Sequence, residues 1–406
     1  MTVADLRVTA VAGGVAAPAG FRAAGVASGI KKSGLDVSLV AADTRASAAA
    51  VFTTNKAQAA PVLIAREYIA ASGGHARAVV INSGCANACT GAEGIDTARA
   101  MASAAGAALG CEPTDVLVAS TGVIGVALDR DRVTSGIAQA SRALGSDGGA
   151  AAARAIMTTD PFPKEAAVEV ATPAGTFRVG GMAKGSGMIE PMLATMLAVM
   201  TTDAGVAPAL LQRALTAAVD TTFNSISVDG ECSTNDCVFA LASGGSGVTI
   251  RESDVIVLTE ALRQVCEPLA LGIVRGGEGA TKLVTIDVSG GRTHDEAKRA
   301  ARAIANSPLV KTAIHGADPN WGRLVAVAGR AGVDFVLDTA RVQIGNVELF
   351  AHGQPFDERA PEASEHLQGR EVVVRVDLGT GGSGRARMWT CDLSAEYVRI
   401  NAEYRT

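Results

Sequence analysis

Apolar residues recur every three to four positions through 96–109, 129–144 and 206–219, the spacing of helices that bury one face. Short apolar runs rich in β-branched residues at 76–82, 116–120 and 166–172 read as strands. A further helix is predicted from Ser253 toward Pro268, then a strand over 282–288. Thr293-x-x-Glu296 is a capping box, and it opens a basic helix that runs through Ala305. The closing stretch predicts strands at 340–350, 371–378 and 385–393 with no long helix between them, which is antiparallel character. The last two are joined by a glycine-rich loop, read as a hairpin. Helices and strands are therefore intermixed, and the expected fold is mixed α/β (α+β), layered sheets and helices. The pattern places a smaller α/β domain at 246–340 and a larger domain over 1–245 plus 341–406. No fixed-period repeat, heptad run or low-complexity linker interrupts it.

Composition narrows the class. The 406 residues are 48% hydrophobic and 19% charged, a chain that folds and has the length of about two to three domains. Only 3% are aromatic while 46 are glycine, so close backbone packing must replace bulky anchors. The net charge of −5 and the lack of a basic run remove the electrostatic footprint of a nucleic-acid binder. No apolar run is as long as a membrane span, and the stretch after Arg7 is glycine-interrupted, unlike a signal peptide, so a cytoplasmic location is expected. Seven cysteines without CxxC pairs or a nearby histidine read as small buried residues, and neither a metal nor a cofactor is expected.

The candidate chemistry is spread along the chain. Gly379-Thr-Gly-Gly-Ser-Gly384 has dinucleotide-type glycine spacing, but a strand follows where the pyrophosphate needs a helix N-terminus. Arg275-Gly-Gly-Glu-Gly-Ala-Thr-Lys282 lacks phosphate-loop spacing. Its Glu278, between glycines, suits close approach of an ammonium group and suits a structural turn equally. The five histidines are scattered, with neither an HExxH motif nor a GxSxG elbow, which disfavours a histidine-dependent hydrolase. An enzyme without a histidine base can activate a hydroxyl with its own α-amine, provided the chain is cut before a Ser or Thr. Lys184-Gly-Ser-Gly-Met-Ile-Glu-Pro-Met-Leu-Ala194-Thr195-Met-Leu fits that need, although Thr195 reads also as a β-branched core residue. Ser120-Thr121-Gly122-Val-Ile-Gly125 follows a strand directly, where a hydroxyl and a backbone N–H can converge as an oxyanion hole.

Taken together these blocks resemble the ornithine acetyltransferase family of the arginine pathway, also called the bifunctional glutamate N-acetyltransferase. The likeness runs through Asn82-Ser-Gly-Cys-Ala-Asn-Ala-Cys-Thr-Gly91, Ser120-Thr-Gly-Val-Ile-Gly125, Met157-Thr-Thr-Asp160, Lys184-Gly-Ser-Gly-Met-Ile189 and Ala194-Thr-Met-Leu197. It continues through Phe223-Asn-Ser-Ile-Ser-Val-Asp-Gly230, Ser233-Thr-Asn-Asp236, Asp318-Pro-Asn-Trp-Gly-Arg323 and Tyr397-Val-Arg-Ile-Asn-Ala-Glu-Tyr-Arg-Thr406. Cys85 and Glu190-Pro-Met-Leu193 depart from the pattern locally. The resemblance implies an N-terminal-nucleophile-like, self-cleaving architecture cut between Ala194 and Thr195, giving an α chain of 194 residues and a β chain of the remaining 212. It implies Thr195 as nucleophile, Thr121 and Gly122 as oxyanion hole, and Thr158, Lys184, Thr195, Glu278, Asn401 and Thr406 as substrate ligands. The implied substrates are N-acetylornithine and glutamate, with acetyl-CoA a further donor in the bifunctional case. The implied assembly is an α2β2 heterotetramer of the chain's own fragments. An N-terminal-nucleophile aminopeptidase of related fold and a non-catalytic amino-acid sensor are the alternatives.

Overall fold

The computed structural model describes residues 6–190 and 196–403. The chain forms two compact units, one of Met1–Asn224 with Glu231–Ile273, the other of Ser225–Gly230 with Val274–Arg405. The first contains β1 (Arg7–Ala10), β2 (Phe21–Val26), β3 (Val37–Phe52), β4 (His75–Cys85), β5 (Val116–Val123), β6 (Lys164–Thr172), β7 (Gly175–Lys184), β8 (Leu197–Thr202), β9 (Gly205–Val206), β10 (Cys237–Ala242) and β11 (Thr249–Ile250). Nine of these strands build one sheet in the order β1-β6-β7-β8-β10-β3-β4-β5. The ninth, β2, shares β3 with β10: β2 pairs residues 37–42 of that long strand and β10 pairs residues 47–52.

Both faces of this sheet are buried, and the period of two sorts its residues. Val79, Ile81 and Leu117 pack into one core with Val199 and Phe239. Their neighbours Ala78, Val80, Val116 and Val118 pack into another with Ile64, Tyr68, Met101 and Ile137 of the helices Ala60–Ala71, Gly91–Leu109 and Arg130–Arg142. A strand buried on both faces carries no polar alternation, which is why these runs are continuously apolar.

The second unit is a six-stranded sheet of β12 (Leu283–Gly291), β13 (Arg341–Ile344), β14 (Val347–Ala351), β15 (Gln354–Pro355), β16 (Glu371–Asp377) and β17 (Gly384–Cys391), ordered β15-β14-β13-β16-β12-β17. The helix His294–Ala305 buries Ala297, Ala300, Ala301, Ile304 and Ala305 against its core. The capping box forms in part: Thr293 Oγ1 accepts the Glu296 N–H at 3.2 Å, while Glu296 Oε2 takes the N–H of Arg292 at 2.8 Å.

Four expectations differ from this. The division at residues 246 and 340 gives way because β16 pairs with β12 along its whole length and β17 flanks β12 on the other side, so 341–391 belongs with the smaller unit. The Gly379–Gly384 loop is not a hairpin, since β12 lies between β16 and β17. Its glycines serve close approach instead: a Cβ on Gly382 or Gly384 would overlap backbone atoms at Gly291 and Thr293. The helix entered near Ser253 continues through Pro268 to Arg275, because Leu269, Ala270, Ile273 and Val274 prolong its buried face. The run 340–350 is two strands turned at Gly345, whose φ is +59°. All seven cysteines are free. Among the described residues no helix is long and apolar enough to cross a membrane, and no group of acidic, cysteine or histidine side chains is arranged to hold a metal.

Candidate active site

In the larger unit the site is built where β4 and β5 run parallel. Their register pairs Ser83 with Thr121 and Gly84 with Gly122. Gly122 has φ +127° and a Cβ there would overlap the Gly84 peptide, so only glycine fits. Around this pairing lies a buried polar network. Ser120 Oγ donates to Asn82 Oδ1 at 2.6 Å, and Asn82 Nδ2 donates to the Cys85 carbonyl at 2.9 Å. Asn235 Nδ2 donates to the carbonyls of Ala86 at 2.6 Å and Ser120 at 2.9 Å. These bonds fix the Ser120–Thr121 peptide and the backbone at Cys85 and Ala86 beside it, the kind of preorganisation an oxyanion site needs.

Lys184 closes β7. It is buried, and its Nζ donates to Thr121 Oγ1 at 3.2 Å. It pairs in register with Leu197, which pairs on its other side with Cys237, so the end of β7, the start of β8 and the start of β10 lie level. Met196, the first described residue after 190, accepts the Cys237 N–H at 3.1 Å. Beside it in sequence, Asp236 is fully enclosed, its Oδ2 has no hydrogen-bond partner among the described residues, and burial pushes its carboxyl well above the usual range.

The charge of Lys184 is balanced by Asp160. That carboxylate is buried and accepts from Lys164 Nζ at 2.6 Å, the Gly185 N–H at 2.8 Å and the Thr158 N–H at 3.1 Å. Burial alone would raise its pKa, but Lys184, Lys164 and the Gly185 N–H outweigh that and hold it below the usual carboxylate value. Thr158 is thereby fixed next to the two lysines. Cys85 is buried, with its Sγ toward the Val126 carbonyl at 3.3 Å, and burial raises its thiol pKa, so it is a packing residue.

In the smaller unit Glu278 is buried and its Oε2 accepts Asn401 Nδ2 at 2.9 Å. Asn401 sits on the helix Ala395–Glu403 and donates also to the Tyr397 carbonyl at 3.0 Å. Gly279, with φ +68°, lets this helix close on the loop, since a Cβ there would overlap the Tyr397 amide. Asp392 anchors the loop's far end through the N–H groups of Thr281 at 2.8 Å and Lys282 at 2.9 Å.

The structure thus gathers Thr121, Gly122, Thr158 and Lys184 in one unit and Glu278 with Asn401 in the other. Ala194, Thr195 and Thr406 lie outside the described residues. Sequence reasoning assigned no role to Asn82, Asn235, Asp160 or Lys164. The signal available for Asn82 was a polar residue closing an apolar strand; Asp160 and Lys164 showed only their spacing of four.

Comparison with known proteins completes the picture. The ArgJ family model matches residues 22–406. The arginine biosynthesis bifunctional protein ArgJ of Nitratidesulfovibrio vulgaris is 48% identical over 393 residues, 96% of this chain and 100% of its own. Its counterpart from Thermosynechococcus vestitus is 47% identical over 415 residues, 98% of this chain and 99% of its own. Among solved structures, ornithine acetyltransferase from Mycobacterium tuberculosis, complexed with ornithine, is 44% identical over 47% of this chain and 100% of that chain, with a TM-score of 0.43. A family model that spans nearly the whole chain and relatives 47–48% identical over nearly their full length agree, and the chain belongs to the ArgJ family.

Proposed function

We propose that this chain transfers the acetyl group of N-acetylornithine to glutamate by ping-pong acyl transfer. It first cuts itself between Ala194 and Thr195, so that Thr195 carries both a nucleophilic hydroxyl and its own α-amine. The amine takes the Oγ proton, Oγ attacks the acetyl carbonyl, and the oxyanion is held at Thr121 and Gly122. Collapse returns the proton to the departing ornithine amine and leaves an acetyl ester on Thr195. The glutamate amine attacks that ester, N-acetylglutamate leaves, and the hydroxyl is restored. Lys184 takes the α-carboxylate that both substrates share, with Thr158 beside it, and Glu278, Asn401 and Thr406 complete the substrate ligands, Glu278 facing the ornithine δ-ammonium. We infer further that the fragments remain together as a cytoplasmic α2β2 heterotetramer.

The observation that carries this reading is the buried Lys184 ammonium on the Thr121 hydroxyl, level with the strand that begins two residues after Thr195. It supplies a cation and oxyanion donors at one place, in a chain of a family whose relatives are named for arginine biosynthesis. The test is an assay of purified protein with acetylornithine and glutamate, repeated with acetyl-CoA as donor. Equal amounts of ornithine and N-acetylglutamate are expected from the first pair. Release of ornithine and acetate with no need for glutamate would favour an aminopeptidase-type hydrolase instead.

A further inference from the structure

We infer that Lys31 is a substrate-positioning residue, a second cation that shares the α-carboxylate of acetylornithine and glutamate with Lys184. The inference rests on the transferase reading above. Lys31 lies on the loop between β2 and β3, and that loop is tightly fixed. The buried Asp36 side chain accepts the Ser28 N–H at 2.6 Å and the Ser28 hydroxyl at 2.9 Å. It accepts also the N–H groups of Ile30 at 2.8 Å and of Lys31 itself at 3.1 Å. The backbone of Lys31 is therefore held in place before any ligand binds.

From there the side chain runs over Gly84, the partner of Gly122 in the β4–β5 pairing. A Cβ on Gly84, whose φ is +103°, would stand 2.7 Å from Lys31 Cγ, so Gly84 is bare on the side that Lys31 covers, just as Gly122 is bare where it meets Gly84. The Lys31 ammonium donates to the Met157 carbonyl at 2.9 Å, the residue before Thr158. It lies in the electrostatic field of Asp36, Asp160 and Lys184. Among the described residues this is its one hydrogen bond, so two of three N–H donors are left for a ligand.

Charge explains what that ligand is. Lys31, Lys164 and Lys184 meet Asp36 and Asp160, and the third carboxyl in their field, Asp236, is pushed toward its neutral form by burial, so positive charge is in excess. Asp36 accepts four bonds from the loop's own donors, and Asp160 accepts three, from Lys164, Gly185 and Thr158. Neither carboxylate accepts a hydrogen bond from the ammonium of Lys31 or Lys184, which donate to the Met157 carbonyl and the Thr121 hydroxyl instead. A single bound carboxylate matches the excess charge and provides the acceptors that both ammonium groups lack. The α-carboxylate is the anionic group that acetylornithine and glutamate have in common.

The experiment measures steady-state kinetics with both substrates for the wild type, Lys31→Gln, Lys31→Met and Lys31→Arg. Glutamine can still donate toward the Met157 carbonyl, so it separates charge from loop anchoring. Lys31→Gln and Lys31→Met are expected to raise both KM values by about tenfold or more while kcat moves less than about threefold. Arginine is expected to recover most of the loss. A fall in kcat with KM unchanged, or failure of arginine to rescue, overturns the inference. In the wild-type protein, labelling of Lys31 by an amine-reactive reagent, read by peptide mass spectrometry, is expected to slow at saturating glutamate; unchanged labelling overturns it without recourse to any variant. A wild type with no transferase activity would instead remove the functional reading.

Discussion

Among the described residues the buried Lys184 ammonium has one hydrogen-bond partner, the Thr121 hydroxyl, while the aspartate that balances it accepts from three other donors. A cation so placed is ready to receive a carboxylate. Lys184→Met is expected to raise KM for acetylornithine and glutamate together, by the roughly tenfold or more that a charged hydrogen bond of about 1.5–3 kcal/mol implies. Glu278→Gln is expected to act differently, raising KM for acetylornithine well above any change for glutamate; equal changes in initial-rate measurements would reject its role at the δ-ammonium. Asp160 makes a prediction about stability. Its folded pKa is depressed, so the stability it contributes is present above the unfolded carboxylate value near about 4 and is lost as pH falls through the lower folded value. Asp160→Asn leaves two buried lysines without their counterion and is expected to cost about 3–5 kcal/mol near neutrality. In urea titrations the gap to wild type should close as the pH is taken down to about 2; a gap independent of pH would contradict the assignment. At this scale Thr121, Gly122 and Glu278 drew attention from the sequence itself, as a hydroxyl and a glycine after a strand and a charge between glycines, whereas a role for Lys184 came only with the family resemblance. Asn82, Asn235 and Asp160 could not, because each acts through partners that only the folded chain brings near.

At the scale of elements, the parallel pairing of β4 with β5 at Gly84 and Gly122 is where the proposed oxyanion site depends on backbone shape alone. Gly122→Ala forces a Cβ into the Gly84 peptide and a side chain onto φ +127°. It is expected to lower kcat by about a hundredfold or more, the loss associated with an oxyanion donor, with much less change in KM. A variant with kcat intact would remove Gly122 from the oxyanion site. Elements with strong internal pattern were legible: β4, β5 and β6 and the helices Gly91–Leu109 and Arg130–Arg142 stand where apolar runs and helical periodicity put them. β3, β7 and β8 were not marked. Half of the first is alanine or serine, in the second Gly180 and Gly181 dilute the pattern, and the third follows the proposed cleavage segment with no turn residue directly before it. Pro268 shows the complementary error, where a continuing buried face outweighs the preference of proline for a helix end.

For the molecule as a whole, the mixed α/β class followed from the alternation of patterns, but the division into units did not. Which strands share a sheet depends on pairing between segments far apart, as β12 with β16, and no local residue preference encodes that register. The same long-range logic bears on activation, because β8, which starts two residues beyond the proposed cut, is a central strand of the nine-stranded sheet, held by β7 on one side and β10 on the other. A cut beside a fully paired strand leaves the fragment anchored. The 194- and 212-residue fragments are expected to co-purify under native conditions and to separate on a denaturing gel, while Thr195→Ala gives one 406-residue band and no turnover.

The central claim is that acetyl rests on Thr195 between the two substrates. The most direct measurement is mass spectrometry of the wild-type protein after mixing with acetylornithine alone. One acetyl group is expected on the 212-residue fragment, located at its first residue and removed when glutamate is added. An acetyl group on the 194-residue fragment, or no covalent acetyl while transfer to glutamate proceeds, would contradict it.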